Sequence, residues 1–292
     1  MIHNYIHIYI VVFVLLIFVV TMYSALRTCP YTQTTESFNI NTNITEKKEV
    51  VPFTFDNLDV YLINMDKSKE KLAYFTKQWK ASDLKDIKFN RLRAVNGNKL
   101  NISTYLSDRA YKEIQNVINT GYRTKHYQLT RGAIGCYLSH LKCYDKIANG
   151  DKHYGIIFED DVNIPKSFHK LSSDVVNSIP GDWDILLLSC HCITCKRQQI
   201  YSKVDKFIWL HCYVVTKSGA KKLVEILNSK PIEQQIDSEL SDLAEDKVLK
   251  IYCVNQSLST QSQKFATSIQ MPMRYVRNIN PYARVAAPTN SI

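Results

Sequence analysis

Negative charge is missing from the last part of the chain. No Asp or Glu follows Asp246, whereas basic residues continue as far as Arg284, and the 292-residue chain carries a net charge of +10. Such a basic closing segment suits an anionic ligand such as a phosphate, a nucleic acid or a membrane surface, and a solvated basic surface is the other interpretation. No nucleic-acid-binding motif accompanies it, so we expect no nucleic-acid partner.

Charge of either sign is absent from residues 1–26. The segment 8–26 is an uncharged, mostly apolar run, which as a helix would extend about 28 Å, the thickness of a bilayer core. A cleaved signal peptide is the rival interpretation. It fits less well because no charged segment precedes the run and Tyr23-Ser24-Ala25 is a poor small-x-small cleavage site. We therefore predict a transmembrane signal anchor, with a single pass through the membrane.

The rest of the chain divides by composition. Residues 27–56 are rich in Thr, Asn, Gln and Lys and have no hydrophobic periodicity, which predicts a flexible stem. One folded domain at 57–270 and a basic tail at 271–292 follow. Arg27 comes after the apolar run and no basic residue precedes it, so the positive-inside rule alone favours a cytosolic domain.

A regular cysteine framework is also lacking. The eight cysteines are densest at Cys190-His191-Cys192-Ile193-Thr194-Cys195. No second pair at finger-like spacing completes a tetrahedral zinc site there. A disulfide or loose thiols in a loop is the favoured interpretation, and zinc is the alternative.

Apolar runs and helical stripes alternate from Asp59 onward. Strands are predicted at 59–64, 87–95, 154–158, 184–189, 208–216 and 248–254. Helices are predicted at 67–82, 130–149, 166–178, 217–229 and 236–245. Alternation on this scale predicts an α/β domain with a mainly parallel central sheet.

Three consecutive carboxylates, Glu159, Asp160 and Asp161, follow the apolar run 154–158. Ligands gather at the carboxyl ends of strands in such sheets. If the chain stays extended, Glu159 and Asp161 point to the same side and can share a hard cation such as Mg²⁺ or Mn²⁺. A solvated turn or a helix N-terminus explains such a run equally well, so the triplet alone identifies no enzyme.

Six sequence blocks give the triplet a context. They are VYLINMDKSKEKL (60–72), FNRLRAVNG (89–97), LTRGAIGCYLSHLKCYDKI (129–147), YGIIFEDDV (154–162), DWDILLLS (182–189) and HCYVVTKSGAKKLVE (211–225). In this order they resemble glycosyltransferase family 25, which contains bacterial lipooligosaccharide galactosyltransferases and animal procollagen galactosyltransferases.

The resemblance extends over residues 57–270 and carries several implications. It implies a single domain of the GT-A type and inverting transfer of a hexose from a UDP-sugar, UDP-galactose or UDP-glucose. The implied acceptor is a hydroxyl of a glycan or a hydroxylated protein, and the implied cofactor is Mn²⁺ or Mg²⁺. It also favours a lumenal location of the ER or Golgi type, against the indication from Arg27.

Site residues follow from the same resemblance. The implied metal ligands are Asp161, Glu159 and His211. The implied donor-binding residues are Asn64, Ser139, His140, Glu159 and Asp160. Two alternatives stay open, because His140 is also explained as a core histidine and His211 as a strand-end histidine that pairs with the backbone.

Inverting displacement needs a general base, and Asp237, Glu239 and Asp242 are the candidates. Asp237 fits the family pattern best and Glu239 is the second choice, although solvation on a helix surface explains any of the three. The chain departs from the family at Ala133 and Asn96, where the relatives carry carboxylates. These departures imply altered donor choice, lower activity, or a catalytically weak or inactive glycan-binding protein.

Overall fold

The computed structural model describes residues 51–125, 127–267 and 269–273. The predicted anchor at 1–26, most of the predicted stem and the end of the predicted tail lie outside these residues. Among the residues described, no helix combines the length and the apolar character needed to cross a membrane. Phe53 is 2% exposed and packs in the core, so the folded part begins before residue 57.

The described residues form a sheet with helices on both of its faces. The strands are β1 (Leu58–Asn64), β2 (Asn90–Arg93), β3 (Tyr154–Glu159), β4 (Val162–Asn163), β5 (Ile185–Leu187), β6 (His191–Arg197), β7 (Tyr201–Ile208), β8 (Cys212–Thr216), β9 (Ile251–Val254) and β10 (Thr260–Gln261). The α-helices are α1 (Lys69–Lys80), α2 (Asp108–Thr120), α3 (Arg131–Asn149), α4 (Phe168–Val176), α5 (Lys217–Asn228) and α6 (Ile236–Glu245).

The main sheet has the order β2-β1-β3-β8-β5-β9-β7-β6. Strand β1 pairs in parallel with β2 and β3, and β5 pairs in parallel with β9, whereas the other neighbouring pairs are antiparallel. The α/β class is therefore confirmed, but the prediction of a mainly parallel sheet is wrong and the sheet is mixed. The reason is that a β-hairpin, β6–β7, and not a helix connects β5 to β8, so β8 returns antiparallel between β3 and β5.

Alternating strand residues feed two cores. Tyr61 and Ile157 face the core under α2, α3, α5 and α6, while Leu62 and Phe158 face the core under α1 and α4. This period of two is what a sheet covered on both faces requires. Because both faces are buried, consecutive residues of the central strands are apolar, and these continuous apolar runs made the strands predictable from the sequence.

Two parts of the fold were not predicted. Helix α2 buries Ala110, Ile114 and Val117 at helical spacing, and the hydroxyl of Ser107 caps it by accepting from the Ala110 N–H at 3.2 Å. The hairpin β6–β7 contains the dense cysteine segment. Cys192 and Cys195 lie close together on strand β6 and not in a loop, and a disulfide between them stays a prediction.

Helix α3 begins and ends where its sequence signals predict. The Thr130 hydroxyl accepts from the Ala133 N–H at 3.0 Å at its start, and Gly150 follows its last residue. Gly135 on this helix faces the turn after β2 closely, since a Cβ on it would lie 2.4 Å from the Val95 carbonyl oxygen. The closeness of these two backbones sets the position of the loop that forms one wall of the candidate site.

Replacing Gly135 with alanine is expected to destabilise the protein. The added methyl group meets backbone atoms that cannot rotate away, and overpacking of this kind costs about 1–3 kcal/mol. Thermal denaturation of the variant should show a lowered melting temperature. Ala148→Gly, on the same helix, is the comparison variant, in which a methyl group is removed and not added. An unchanged melting temperature for Gly135→Ala would contradict the close packing.

Candidate functional site

The candidate site lies where β1 and β3 end side by side. Ile63 of β1 pairs with Glu159 of β3, so Asn64 and the acidic triplet reach the same edge of the sheet. Strand β8 starts at this edge because it runs antiparallel to β3. The Glu159 N–H donates to the carbonyl oxygen of His211 at 2.9 Å, which places the histidine beside the triplet.

Asp160 and Asp161 share one cation, the ammonium group of Lys71. The Lys71 Nζ lies 3.0 Å from Asp161 Oδ2 and 3.3 Å from Asp160 Oδ1, and all three residues are at least nine-tenths buried. Burial opposes the charge on Lys71, but the two carboxylates outweigh it and raise the pKa of the ammonium. Burial raises the pKa of Asp160, and Lys71 only partly offsets it.

Asn64 positions this pair. Its amide donates to Asp160 Oδ2 at 2.7 Å and to the Ser68 carbonyl oxygen at 3.1 Å, and its own oxygen accepts from Arg91 Nε at 2.8 Å. Asn64 is 1% exposed. The side chain of Asn64, a predicted donor-binding residue, is therefore saturated by protein contacts, and one of them is to Asp160.

Glu159 is held on the other side, against helix α3. His140 Nε2 lies 3.2 Å from Glu159 Oε1, and the Cys136 thiol donates to the same oxygen at 3.8 Å. His140 Nδ1 lies 2.6 Å from the Tyr213 hydroxyl, which fixes the imidazole ring. Burial alone would raise the pKa of Glu159, but the hydrogen bond and charge of His140 prevail and lower it. His140 is thus a buried positioning residue for Glu159.

His211 offers a nitrogen with no partner among the described residues. Its side chain is 3% exposed and its Nε2 has no hydrogen bond. Burial lowers the pKa of His211 against the opposing charges of Glu159 and Asp161, so the ring is neutral near pH 7. His211 Nε2 therefore makes no hydrogen bond to the backbone, which was the alternative interpretation of this histidine. A buried polar atom without a partner is uncommon and requires an explanation.

The hydroxyl of Ser139 is engaged by the protein backbone. Its hydroxyl donates to the Gly135 carbonyl oxygen at 2.6 Å and accepts from the Val95 N–H at 2.8 Å. These contacts tie the turn after β2 to helix α3. The resemblance implied donor binding by Ser139, but its hydroxyl is engaged by the protein, so we assign it to shaping the wall of the cleft.

The two predicted bases have different surroundings. Asp237, at the start of α6, accepts from the N–H groups of Ser238 at 2.9 Å and Trp209 at 3.5 Å. Burial and the charge of Glu159 raise the pKa of Asp237. Glu239 instead forms an ion pair with Lys230 and lies buried, so the structure brings Asp237 and not Glu239 to the acidic edge.

The two departures from the family pattern are locally accommodated. Asn96 caps the 3₁₀ turn Gly97–Lys99 by accepting from the Asn98 N–H at 3.1 Å, a contact that an aspartate oxygen would make in the same way. Ala133 is 2% exposed and belongs to the core under α3.

The acidic edge carries the types of ligand that divalent cations accept. Asp160 and Asp161 supply carboxylate oxygens, and His211 Nε2 is a buried nitrogen without a partner. Lys71 already shows that these carboxylates attract positive charge. Among the described residues, the group of three whose ligand atoms lie within 4.8 Å of one another is Cys136, His140 and Glu159, and Asp160, Asp161 and His211 do not form such a group.

Lys71 is the site residue that the sequence prediction missed. It lies on the buried stripe of α1 together with Phe75 and Trp79, at intervals of four residues. A charged residue on a buried stripe needs a counter-charge. The spacing in the sequence could therefore have predicted an acidic partner for Lys71, and the triplet is that partner.

Replacing Lys71 with methionine is expected to lower the free energy of unfolding by about 3–5 kcal/mol in EDTA, because two buried carboxylates lose their counter-charge. Added Mn²⁺ should restore much of the loss by supplying that charge. Chemical denaturation with and without Mn²⁺ measures both effects. Lys170→Met is the matched control, since its ion pair with Asp174 is exposed and solvent screens such pairs so that they contribute little to stability. Equal losses in the two variants would contradict the assignment.

The fold and the site define an α/β protein with a cleft in which acidic and basic side chains lie together. The cleft is lined by the triplet, Lys67, Lys71 and the turn 95–98. Residues 57–240 match the family described as glycosyltransferase family 25 (LPS biosynthesis protein). The chain belongs to that family.

Relatives and a solved structure place the chain in context. It is 25% identical over 182 residues to a glycosyltransferase 25 family member of Anopheles gambiae, a match that covers 56% of this chain and 28% of that protein. It is 25% identical over 183 residues to human procollagen galactosyltransferase 2, covering 57% of this chain and 27% of that protein. The chain thus matches less than a third of the length of these relatives.

A crystal structure of Drosophila β1,4-galactosyltransferase 7 with manganese, UDP-Gal and xylobiose is similar with a TM-score of 0.33. The identity is 11%, and the match covers 81% of this chain and 76% of that chain.

Proposed function

We propose that the protein is a metal-dependent inverting glycosyltransferase that moves a hexose from a UDP-sugar to a hydroxyl group. The observation that carries the proposal is the pair Asp160 and Asp161, buried at the carboxyl end of β3 beside Lys71 and the unpaired nitrogen of His211. Family membership supports it, and the name of the human relative favours galactose as the sugar. UDP-glucose is the second donor, and we further propose a GT-A type of fold.

Different residues are proposed to bind the metal, to orient its ligands and to attract the donor. Asp160, Asp161 and His211 would hold Mn²⁺ or Mg²⁺, and the bound cation would neutralise charge on the departing diphosphate. Asn64 orients Asp160 through its 2.7 Å hydrogen bond. Lys67 and Lys71 line the same cleft and favour a polyanionic ligand.

Asp237 is the general base in this proposal. Its raised pKa makes it a stronger base than an ordinary carboxylate, as removal of the acceptor hydroxyl proton requires. Glu159, held by His140, keeps negative charge near Asp237 and so supports the raised value. Direct displacement with such a base inverts the configuration at the anomeric carbon.

A catalytically weak or inactive glycan-binding protein is the second candidate. It is favoured by the loss of family carboxylates at Ala133 and Asn96. The retained cap at Asn96 and the intact triplet favour the enzyme.

Residues 1–26 are proposed to anchor the domain in a membrane, with the domain in the lumen. The sequons at Asn43, Asn101 and Asn255 barely favour this side. Endoglycosidase treatment of the full chain from eukaryotic cells tests the location. A glycan on Asn43 is expected, and its absence would contradict the lumenal assignment.

The direct test of function is release of UDP from UDP-galactose and UDP-glucose with Mn²⁺ and a panel of glycan and hydroxylysine-containing acceptors. Turnover that depends on Mn²⁺ and on an acceptor is expected. A folded protein that consumes no donor in any combination, yet binds glycans, would establish the second candidate instead.

A further inference from the structure

An exposed tryptophan stands at the outer edge of the acidic site. Trp209 is 49% exposed and lies in the connection between β7 and β8. Cys212 pairs with Phe158 and His211 binds the backbone of Glu159. The residues before His211 therefore run outward past the carboxyl end of β3, and Trp209 lies on the solvent side of the triplet.

The backbone holds Trp209 in a conformation that its side chain does not favour. Its φ is +76°, in the left-handed region that non-glycine residues rarely adopt. Its N–H points at the Asp237 carboxylate, 3.5 Å away. A strained backbone around an exposed apolar ring contributes little to folding, and such outliers are concentrated at ligand sites.

Aromatic and polar groups surround Asp237 at this point. The rings of Trp209 and His191 lie 5.4 Å apart, and Tyr127 is also exposed, at 45%. Partial burial, and then the charge of Asp237, raise the pKa of Tyr127. A pyranose ring has one face of C–H groups and a rim of hydroxyls. The C–H face packs against an aromatic ring, and the hydroxyls form hydrogen bonds with carboxylates.

The geometry points to Trp209 as the platform of an acceptor subsite that binds a pyranose ring and presents its hydroxyl to Asp237. The inference rests on the proposed transfer function and specifies its acceptor as a sugar. The carboxylate that receives the proton and the ring that carries the sugar are joined by one hydrogen bond of the backbone. The acceptor would therefore lie on the side of the triplet away from Asn64 and Lys71.

Intrinsic fluorescence tests the subsite without turnover. The chain has three tryptophans, and Trp79 and Trp183 are buried at 3% and 6% exposure. Quenching by acrylamide thus reports chiefly on Trp209. Methyl β-galactoside, methyl β-glucoside and methyl β-xyloside are the probes. At least one is expected to shift the emission and protect it from acrylamide, also in a protein that consumes no donor.

Substitutions separate sugar binding from a structural role. Trp209→Leu should raise KM for a sugar acceptor about tenfold, as the loss of a stacked aromatic contact predicts, with Trp209→Phe between it and the wild type and the UDP affinity unchanged. Trp209→Gly relieves the left-handed φ, so its melting temperature should equal or exceed that of the wild type while acceptor binding is lost. The control is Ile200→Leu, a substitution of an exposed residue in the turn between β6 and β7, which should leave acceptor binding unchanged.

Three outcomes would overturn the inference. The first is fluorescence that no pyranoside alters while UDP and Mn²⁺ still bind. The second is protection by hydroxylysine without a sugar, which would assign the subsite to a peptide. The third is a fall in melting temperature for Trp209→Gly with unchanged KM, which would make the residue structural. Absence of donor consumption with intact pyranoside protection would refute the proposed function and not this subsite.

Discussion

Replacing Asp161 with asparagine is expected to lower kcat/KM for the UDP-sugar by at least about 100-fold, since loss of even an outer-shell partner of a metal costs 10–100-fold. The substitution keeps the shape of the side chain and removes the charge that would hold a cation. Asp160 remains 3.3 Å from Lys71 Nζ, so the buried ammonium keeps a counter-charge and the fold should survive. Donor consumption over a range of Mn²⁺ concentrations is the measurement.

Asp174→Asn is the matched control for this substitution. Asp174 makes an exposed ion pair with Lys170, so the same chemical change there should leave turnover unaltered. Excess Mn²⁺ should recover part of the activity of Asp161→Asn and none of any loss caused by misfolding. Wild-type turnover in the folded Asp161→Asn protein would contradict the role of the triplet.

Replacing Asp237 with asparagine is expected to reduce kcat by about 10²–10⁴-fold, the contribution of a general base. Asparagine keeps one oxygen, which can still accept from the Ser238 N–H, but its NH₂ group replaces the oxygen that faces the Trp209 N–H, and it cannot take a proton. Because the base form is the active form and burial raises the pKa of Asp237 above its ordinary value, wild-type activity should fall as the pH drops through that raised value. The pH profile of kcat/KM for the acceptor measures it.

The same helix supplies the control. Asp242 is exposed and accepts from Gln234 at 2.7 Å, and Asp242→Asn should keep the acidic limb of the profile. In Asp237→Asn that limb should disappear from the residual activity. Glu239→Gln should lower stability through its ion pair with Lys230 and leave the limb in place. An acidic limb that moves with Glu239 instead would reverse the assignment of the base.

Most of the central fold could be predicted from local patterns. Continuous apolar runs such as 154–158 belong to strands covered on both faces, and Thr130 and Gly150 bound α3 as their capping chemistry requires. Helix α2 was missed although its buried residues have helical spacing. The direction of β8 was unpredictable because it depends on which connection follows β5, and a hairpin of half-exposed residues carries a weak pattern.

The site was predictable in its residues and less so in their roles. The triplet, Asn64 and His211 meet at one edge because strand ends bring them there, and His140 reaches Glu159 from helix α3. The sequence alone could not divide the triplet, in which Glu159 turns to His140 while the two aspartates turn to Lys71. Nor could it show that Ser139 and Asn64 are saturated by the protein, because those partners come from distant parts of the chain.

The most direct test of the proposed site is calorimetric titration of UDP into the wild-type protein and into Asp161→Asn, with Mn²⁺ and with EDTA. The account predicts binding to the wild type that requires Mn²⁺, and binding to Asp161→Asn weakened at least tenfold, about 1.4 kcal/mol. Equal affinity of both proteins for UDP, or wild-type binding that EDTA leaves unchanged, would contradict it.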